Sequence, residues 1–179
     1  MTRKSKKSVR RKTRRVGPIP PGLGTVTPHL VIEGASKAIV FYRRAFGAQE
    51  LERTETPDGK LLHASIKIGD SIVMMSDEFP GADARAPTVV GTSTVTLHIY
   101  ARNVDKLWQQ AIAAGGKPTM PLENQFWGER YGKLVDPFGH HWSLSMRVRM
   151  SREERERKRQ EAMMMFEKGE HPGSSSSSE

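Results

Sequence analysis

The chain contains no cysteine, so disulfides, thiolate nucleophiles and cysteine-based zinc sites are all excluded. It also lacks any apolar run near the roughly 18–20 residues that a membrane-crossing helix needs. No apolar segment follows its charged start, as a secretory signal would require. A cytoplasmic protein with no membrane partner is the expectation. Hydrophobic residues are sparse at 36% of 179 residues, and aromatic residues make up 7%. A chain of this length supports one domain with a real core and not two ordinary ones. Its low apolar content therefore points to polar tails outside that domain.

Residues 1–15 hold nine Lys or Arg and no acid, while the whole chain has 29 basic and 20 acidic residues. Setting those nine aside leaves residues 16–179 with 20 of each sign, so the folded part is near neutral. Any nucleic-acid contact must rest on the tail. With no aromatic interleaving and no folded reading motif, it supports only weak, non-specific and salt-sensitive binding. Gly17-Pro18-Ile19-Pro20-Pro21-Gly22 cannot join a helix or a sheet interior and closes a tail and linker over residues 1–24. At the other end a charged helix is predicted over 149–169, with Ser151 and Glu154 as a capping box and an apolar end at Met163-Met164-Met165-Phe166. The serine-rich 170–179 is a low-complexity tail.

Between these ends the sequence repeats. Thr27-Pro28-His29-Leu30 returns 69 residues later as Thr96-Leu97-His98-Ile99, and the same offset carries Lys37 to Lys106 and Gly47 to Gly116. Apolar stripes at helical spacing run through Ala38, Ile39, Phe41, Tyr42, Ala45 and Phe46, and through Val104, Leu107, Trp108, Ala111 and Ile112. Each is preceded by one alternating strand and followed by three extended stretches. The pattern is βαβββ twice, over about 25–78 and 93–148, within one domain at 25–148. An α+β fold follows: two units form an open, cup-shaped mixed sheet, with a C-terminal helix outside it.

The paired units resemble the vicinal-oxygen-chelate superfamily, which includes glyoxalase I, dioxygenases and bleomycin-binding proteins. Ala38-Ile39-Val40-Phe41-Tyr42, Asp58-Gly59-Lys60, Gln125-Phe126-Trp127-Gly128-Glu129-Arg130-Tyr131-Gly132 and Asp136-Pro137-Phe138-Gly139-His140 are similar to its PhnB-like branch. The resemblance implies a divalent ion in the cup, held by two ligands from each unit, which chelates substrate oxygens. Carried onto this chain, the ligand positions fall at Thr27, near Val73, at Thr96 and at Ser143. None is His, Asp or Glu, so the inherited metal site is expected to be lost.

Strand alternation gives a separate view. Leu30 and Ile32, then Leu62, Ala64, Ile66 and Ile68, then Leu97 and Ile99, and Trp142 and Leu144 take the apolar side. The opposite side presents His29, His63, His98 and His141 among hydroxyls, with His63 dependent on the register around Gly69-Asp70. Those histidines have three open readings: a displaced metal site, a polar pocket in which His29 and His98 are candidate acid–base groups, or side chains satisfied by their neighbours without a chemical task. The Phe126–Tyr131 loop has two. It is a lid, with Trp127 and Tyr131 stacking on a planar ligand while Arg130 meets an anion; or it is a plug anchored by Trp127, with Glu129 paired to Arg130 or Lys133. The leading expectation is a homodimer that binds a small organic molecule through His29, His63, Thr96, His98, Trp127, Arg130, Tyr131, His141 and Ser143. It uses no cofactor, with or without metal-independent chemistry. The rivals are a metal-dependent lyase or dioxygenase holding a divalent metal, and a dimeric accessory protein that touches nucleic acid through its tail.

Overall fold

A computed structural model describes residues 17–169. The nine-cation tail and the serine-rich end lie outside the described residues. The order is β1 (His29–Ile32), α1 (Ala35–Phe46), β2 (Gln49–Glu55), β3 (Leu61–Ile68), β4 (Ser71–Asp77) and a short α2 (Pro87–Val90). Then come β5 (Thr96–Tyr100), α3 (Val104–Ala113), β6 (Lys117–Gln125), β7 (Glu129–Val135), β8 (His141–Arg147) and α4 (Arg152–Glu167). The strands form two four-stranded sheets, ordered β1-β4-β3-β2 and β5-β8-β7-β6. β1 and β5 run parallel to their neighbours β4 and β8, and the remaining pairs are antiparallel. This is the doubled βαβββ plan of a glyoxalase-like α+β fold, with the C-terminal helix in place.

Local chemistry sets the helices. Asp77, at the end of β4, accepts from the backbone N–H of Gly34 and Ala35 at 2.9 and 3.0 Å, filling the unsatisfied donors at the start of α1. Gly47 ends that helix in the left-handed conformation, φ 67°. The second unit uses other means: Asn103 caps α3 through Lys106 N–H at 3.0 Å. Trp108 of α3 lies against Gly132, where an added Cβ would come within 2.9 Å of the indole ring. Glycine on the helix side of β7 is what lets that ring rest on the sheet.

One core joins the units. Leu30, Ile32, Ile39, Tyr42, Ile66 and Met75 of the first pack with Val104, Trp108, Leu134, Trp142 and Leu144 of the second. At its polar centre is Asp136, 4% exposed. It accepts from Tyr42 Oη at 2.8 Å, Trp142 Nε1 at 2.9 Å, and the N–H groups of Phe138 and His140 at 2.9 Å each. These bonds tie α1 of the first unit to the Asp136-Pro137-Phe138-Gly139 turn of the second.

Two details depart from the alternation. Leu62 is 56% exposed while both Leu61 and Ala64 are fully buried. The register of β2 on β3 shifts between Thr54 and Glu55, a bulge that turns Leu62 outward and corrects its assignment to the apolar side. Val73 is buried in the core. Met74 is the residue that pairs with His29, as Ser143 pairs with His98, so the β4 counterpart of Ser143 is Met74 and not Val73. In α4, Ser151 accepts from Glu154 N–H at 3.1 Å as its cap. Met163, Met164 and Met165 remain 45%, 58% and 38% exposed. Among the described residues no helix is long and apolar enough to cross a membrane.

Candidate functional site

No strand of one sheet pairs with the other, and both apolar faces close on the shared core. The two polar faces therefore look away from that core. The four histidines divide between the two sheets, His29 and His63 on the first and His98 and His141 on the second. His29 and His63 share the first, their ring centroids 6.2 Å apart and nearly perpendicular. His63 Nε2 lies 3.5 Å from Glu52 Oε1, to which Ser65 Oγ also donates at 3.3 Å. Burial, then the neighbouring His63, holds the His29 imidazole below its usual pKa.

The second sheet carries the denser constellation. On β5 and β8, Thr96 pairs with His141, His98 with Ser143 and Tyr100 with Ser145, so these six side chains share one face. On β7, Tyr131 opposes Ser145 and Glu129 opposes Arg147, which adds Glu129, Tyr131 and Lys133 to it. His98 Nδ1 and Ser143 Oγ share a 2.7 Å hydrogen bond. The His98 ring stands 4.4 Å from Tyr100 edge-on and 5.9 Å from Tyr131 in a stacked arrangement. Tyr131 in turn meets Trp127 at 5.5 Å.

Both ends of this row of rings meet on Glu129. Its Oε1 accepts from Tyr100 Oη at 3.0 Å, and its Oε2 accepts from Trp127 Nε1 at 3.2 Å and Ser145 Oγ at 2.8 Å. Burial pushes the Glu129 carboxyl up, but the three hydrogen bonds and nearby His98 outweigh it and hold the group below the usual carboxylate range. Glu129 also draws Tyr100 upward, its phenol donating to the carboxylate. Trp127 is 43% and Tyr100 66% exposed, so the row is open to solvent.

Of the residues singled out from sequence, Thr96, His98, Trp127, Tyr131, His141 and Ser143 are on this face, while His29 and His63 are on the other sheet. Arg130 belongs to neither. Its guanidinium makes a bidentate pair with Asp105 of α3, at 2.9 and 2.7 Å, on the helix side of β7. Alternation along β7 sends Glu129 and Tyr131 one way and Arg130 the other. This corrects both the placing of Arg130 over a ligand and the pairing of Glu129 with Arg130 or Lys133. Tyr100 and Ser145 were on the polar side by alternation but not singled out. Their signal is the shared parity with His98 and Ser143.

The residues at the family's metal positions do not fit a divalent ion. Thr27 Oγ1 donates to the Gly24 carbonyl at 3.3 Å, Val73 is core, and Ser143 is 2% exposed and committed to His98. Moving one step to Met74 supplies only a thioether, a poor ligand for a hard divalent cation. Among the described residues no group of three His, Asp or Glu is placed to hold a metal.

Between the units runs a groove of about 1090 Å³, lined by Phe46, Val73, Leu97, Ile99, Leu107 and Trp142 among others. It runs along β5, and its lining also takes in Thr96, His98 and Tyr100, so it borders the row of rings.

The fold and sequence have known relatives. An uncharacterized protein of Mycobacterium bovis is 46% identical over 127 residues, covering 69% of this chain and 84% of that protein. TioX from Micromonospora superposes with a TM-score of 0.55 at 24% identity, covering 72% of this chain and 100% of its own. A PhnB protein from Bacillus cereus, titled a putative 3-demethylubiquinone-9 3-methyltransferase, gives 0.56 at 21% identity, covering 69% of this chain and 99% of its own. Residues 23–144 match the family model for these folds, and the chain belongs to the Glyoxalase/Bleomycin resistance protein/Dioxygenase superfamily.

Proposed function

We propose that the chain binds a small planar organic molecule on the polar face of its second sheet. The observation that carries this reading is the row Trp127–Tyr131–His98–Tyr100 closed on Glu129. Aromatic rings that are neither buried in the core nor scattered singly mark a binding surface in a protein with so few of them. His98 and Ser143 supply polar contacts at the floor, and Thr96 and His141 extend the face toward the start of β5. Titrating planar aromatic compounds while following Trp fluorescence tests the proposal. Saturable binding that weakens in Trp127→Ala and His98→Ala supports it; binding indifferent to both removes it.

We further propose that the binding form is a homodimer. β1 and β5 each have one strand neighbour, so each offers an unpaired edge. Val95 beside the β5 edge is 62% exposed, and the methionines near the end of α4 are open as well. Light scattering at high protein concentration decides: a dimeric mass supports the reading and a monomeric mass removes it.

A further inference from the structure

The proposed binding face carries one carboxylate, Glu129, alongside the cations Lys133 and Arg147. Glu129 receives three hydrogen bonds from neutral groups: a phenol, an indole and a hydroxyl. Among the described residues no Lys or Arg lies within ion-pair distance of it. A carboxylate oxygen has two lone pairs. Oε2 uses both, on Trp127 and Ser145, whereas Oε1 uses one, on Tyr100. One acceptor position on an ionised carboxylate therefore remains, bordered by the rings of Tyr100, Tyr131 and Trp127.

We infer that the ligand of this face is a cation with an N–H donor, a planar aromatic ammonium or amidinium, whose N–H meets Glu129 Oε1 while its ring lies on Trp127 and Tyr131. Aromatic faces carry negative quadrupoles that attract cations, and a partly desolvated carboxylate adds a charge-assisted hydrogen bond. An anionic ligand would meet the reverse field. The guanidinium that could have welcomed it, Arg130, is bound to Asp105 on the other side of β7. The remaining cations on this face are Lys133 and Arg147, which are cross-strand neighbours of Ser143 and Glu129. Arg147 is exposed, so water and salt screen its charge more than the half-buried carboxylate's. His98 also faces Glu129 and, if protonated, would compete with the ligand for it.

This inference rests on the binding reading above, and two dyes of similar tricyclic shape separate the two. Proflavine is a planar cation with N–H donors; resorufin is a planar anion. Each is titrated into the full-length chain near pH 8 and followed by fluorescence anisotropy. The expected result is that proflavine binds at least tenfold more tightly than resorufin. Glu129→Gln should remove about tenfold of the proflavine affinity, the scale of one charge-assisted hydrogen bond, and raise resorufin affinity. Tyr100→Phe keeps the carboxylate charge and one more open position on Oε1, so the preference for the cation should persist in it. That variant guards against reading a disturbed loop as lost charge. If resorufin binds as well as proflavine, or the preference is the same in Glu129→Gln, the cation inference falls while binding on this face stands. If Trp127→Ala leaves the affinity for both dyes untouched, the binding reading itself falls.

Discussion

Ser143, 2% exposed on β8, holds the His98 ring on β5 through a 2.7 Å hydrogen bond to Nδ1. The bond fixes the imidazole in the plane that stacks on Tyr131, the two rings 19° from parallel. On the proposed binding reading, Ser143 acts as a positioning residue for His98. Ser143→Ala should cost about 1 kcal/mol of stability, the usual net value of one hydrogen bond. It should weaken binding of a planar ligand several-fold. Ser143→Thr, which restores a hydroxyl, should recover binding if the small buried site admits its methyl. Chemical denaturation and dye titration on both variants make the measurement, and Ala binding like wild type would remove the positioning role.

Trp127→Ala separates a lid from a plug. A plugged, fully buried Trp costs about 3–5 kcal/mol on truncation, but this side chain is 43% exposed. Its stability loss should stay below about 2 kcal/mol, while ligand affinity falls roughly tenfold or more. A loss of 3 kcal/mol or greater in urea unfolding would return the loop to a structural role.

Arg130→Ala should leave ligand affinity unchanged within about twofold. The guanidinium is spent on Asp105, which it holds below the usual carboxylate range, and an exposed ion pair contributes little stability. A marked loss of anion binding in this variant would show that the arginine reaches the polar face after all.

The contrast between Arg130 and Glu129 shows which parts of the site were legible in sequence. The 69-residue repeat and the apolar stripes are local patterns, and they carried the elements, the βαβββ doubling and the equivalence of His29 with His98. Alternation along β5 and β8 also placed Thr96, His98, His141 and Ser143 on one face. Parity along β7 separates Glu129 and Tyr131 from Arg130 in the same way, whereas the mere adjacency of Arg130 to two aromatics in sequence carries no information about its face. The bulge beside Leu62 and the shift from Val73 to Met74 have no local signature, because register is set by pairing partners far along the chain. The relation of the two sheets was least legible. It depends on contacts such as Phe46 on Trp142, centroids 4.6 Å apart, and on the Tyr42–Asp136 bond, which no periodicity encodes.

Protein purified without chelator should hold well under one equivalent of transition metal. The positions that would bind it carry hydroxyls, one of them bonded to His98, and the thioether of Met74. Elemental analysis by mass spectrometry gives the count. Stoichiometric zinc, nickel, manganese or iron that disappears on changing His29 and His63 would mean that the first sheet has built a site of its own with Glu52.

Asp136→Ala should be among the most damaging single changes, at about 3–5 kcal/mol, because four donors, three of them buried, lose their acceptor at once. Tyr42→Phe removes only one of those bonds and should cost about 1–2 kcal/mol. The phenol's pKa lies well above its usual value through burial and the adjacent carboxylate, so it stays protonated as donor across the physiological range. Urea unfolding of both variants checks the ratio, and equal losses would mean that Asp136 acts through Tyr42 alone.

Stability should also fall on mild acidification, through His140. This side chain is 6% exposed, and its Nε2 has no hydrogen-bond partner. Burial lowers its pKa, opposed in part by the charge of Asp136 and by a hydrogen bond to the Val31 backbone. In the unfolded chain the imidazole takes up a proton near pH 6.5, while the folded protein resists it to a lower pH. The unfolded state therefore binds more protons within that window, and stability is full above about pH 6.5 and lost as pH falls through the folded value. One such group gives a slope of at most about 1.4 kcal/mol per pH unit. His29, lowered in the same direction by burial and by His63, adds to the trend but is more exposed and screened. His140→Asn removes the titrating group while preserving its backbone bonds to Asp136. Unfolding free energies measured between pH 5 and 7.5 should show a flatter profile in this variant, even if its stability at pH 7.5 is lower. An unchanged slope would place the acid sensitivity elsewhere, and His29→Asn, measured over the same range, would then show whether the first polar face is its source.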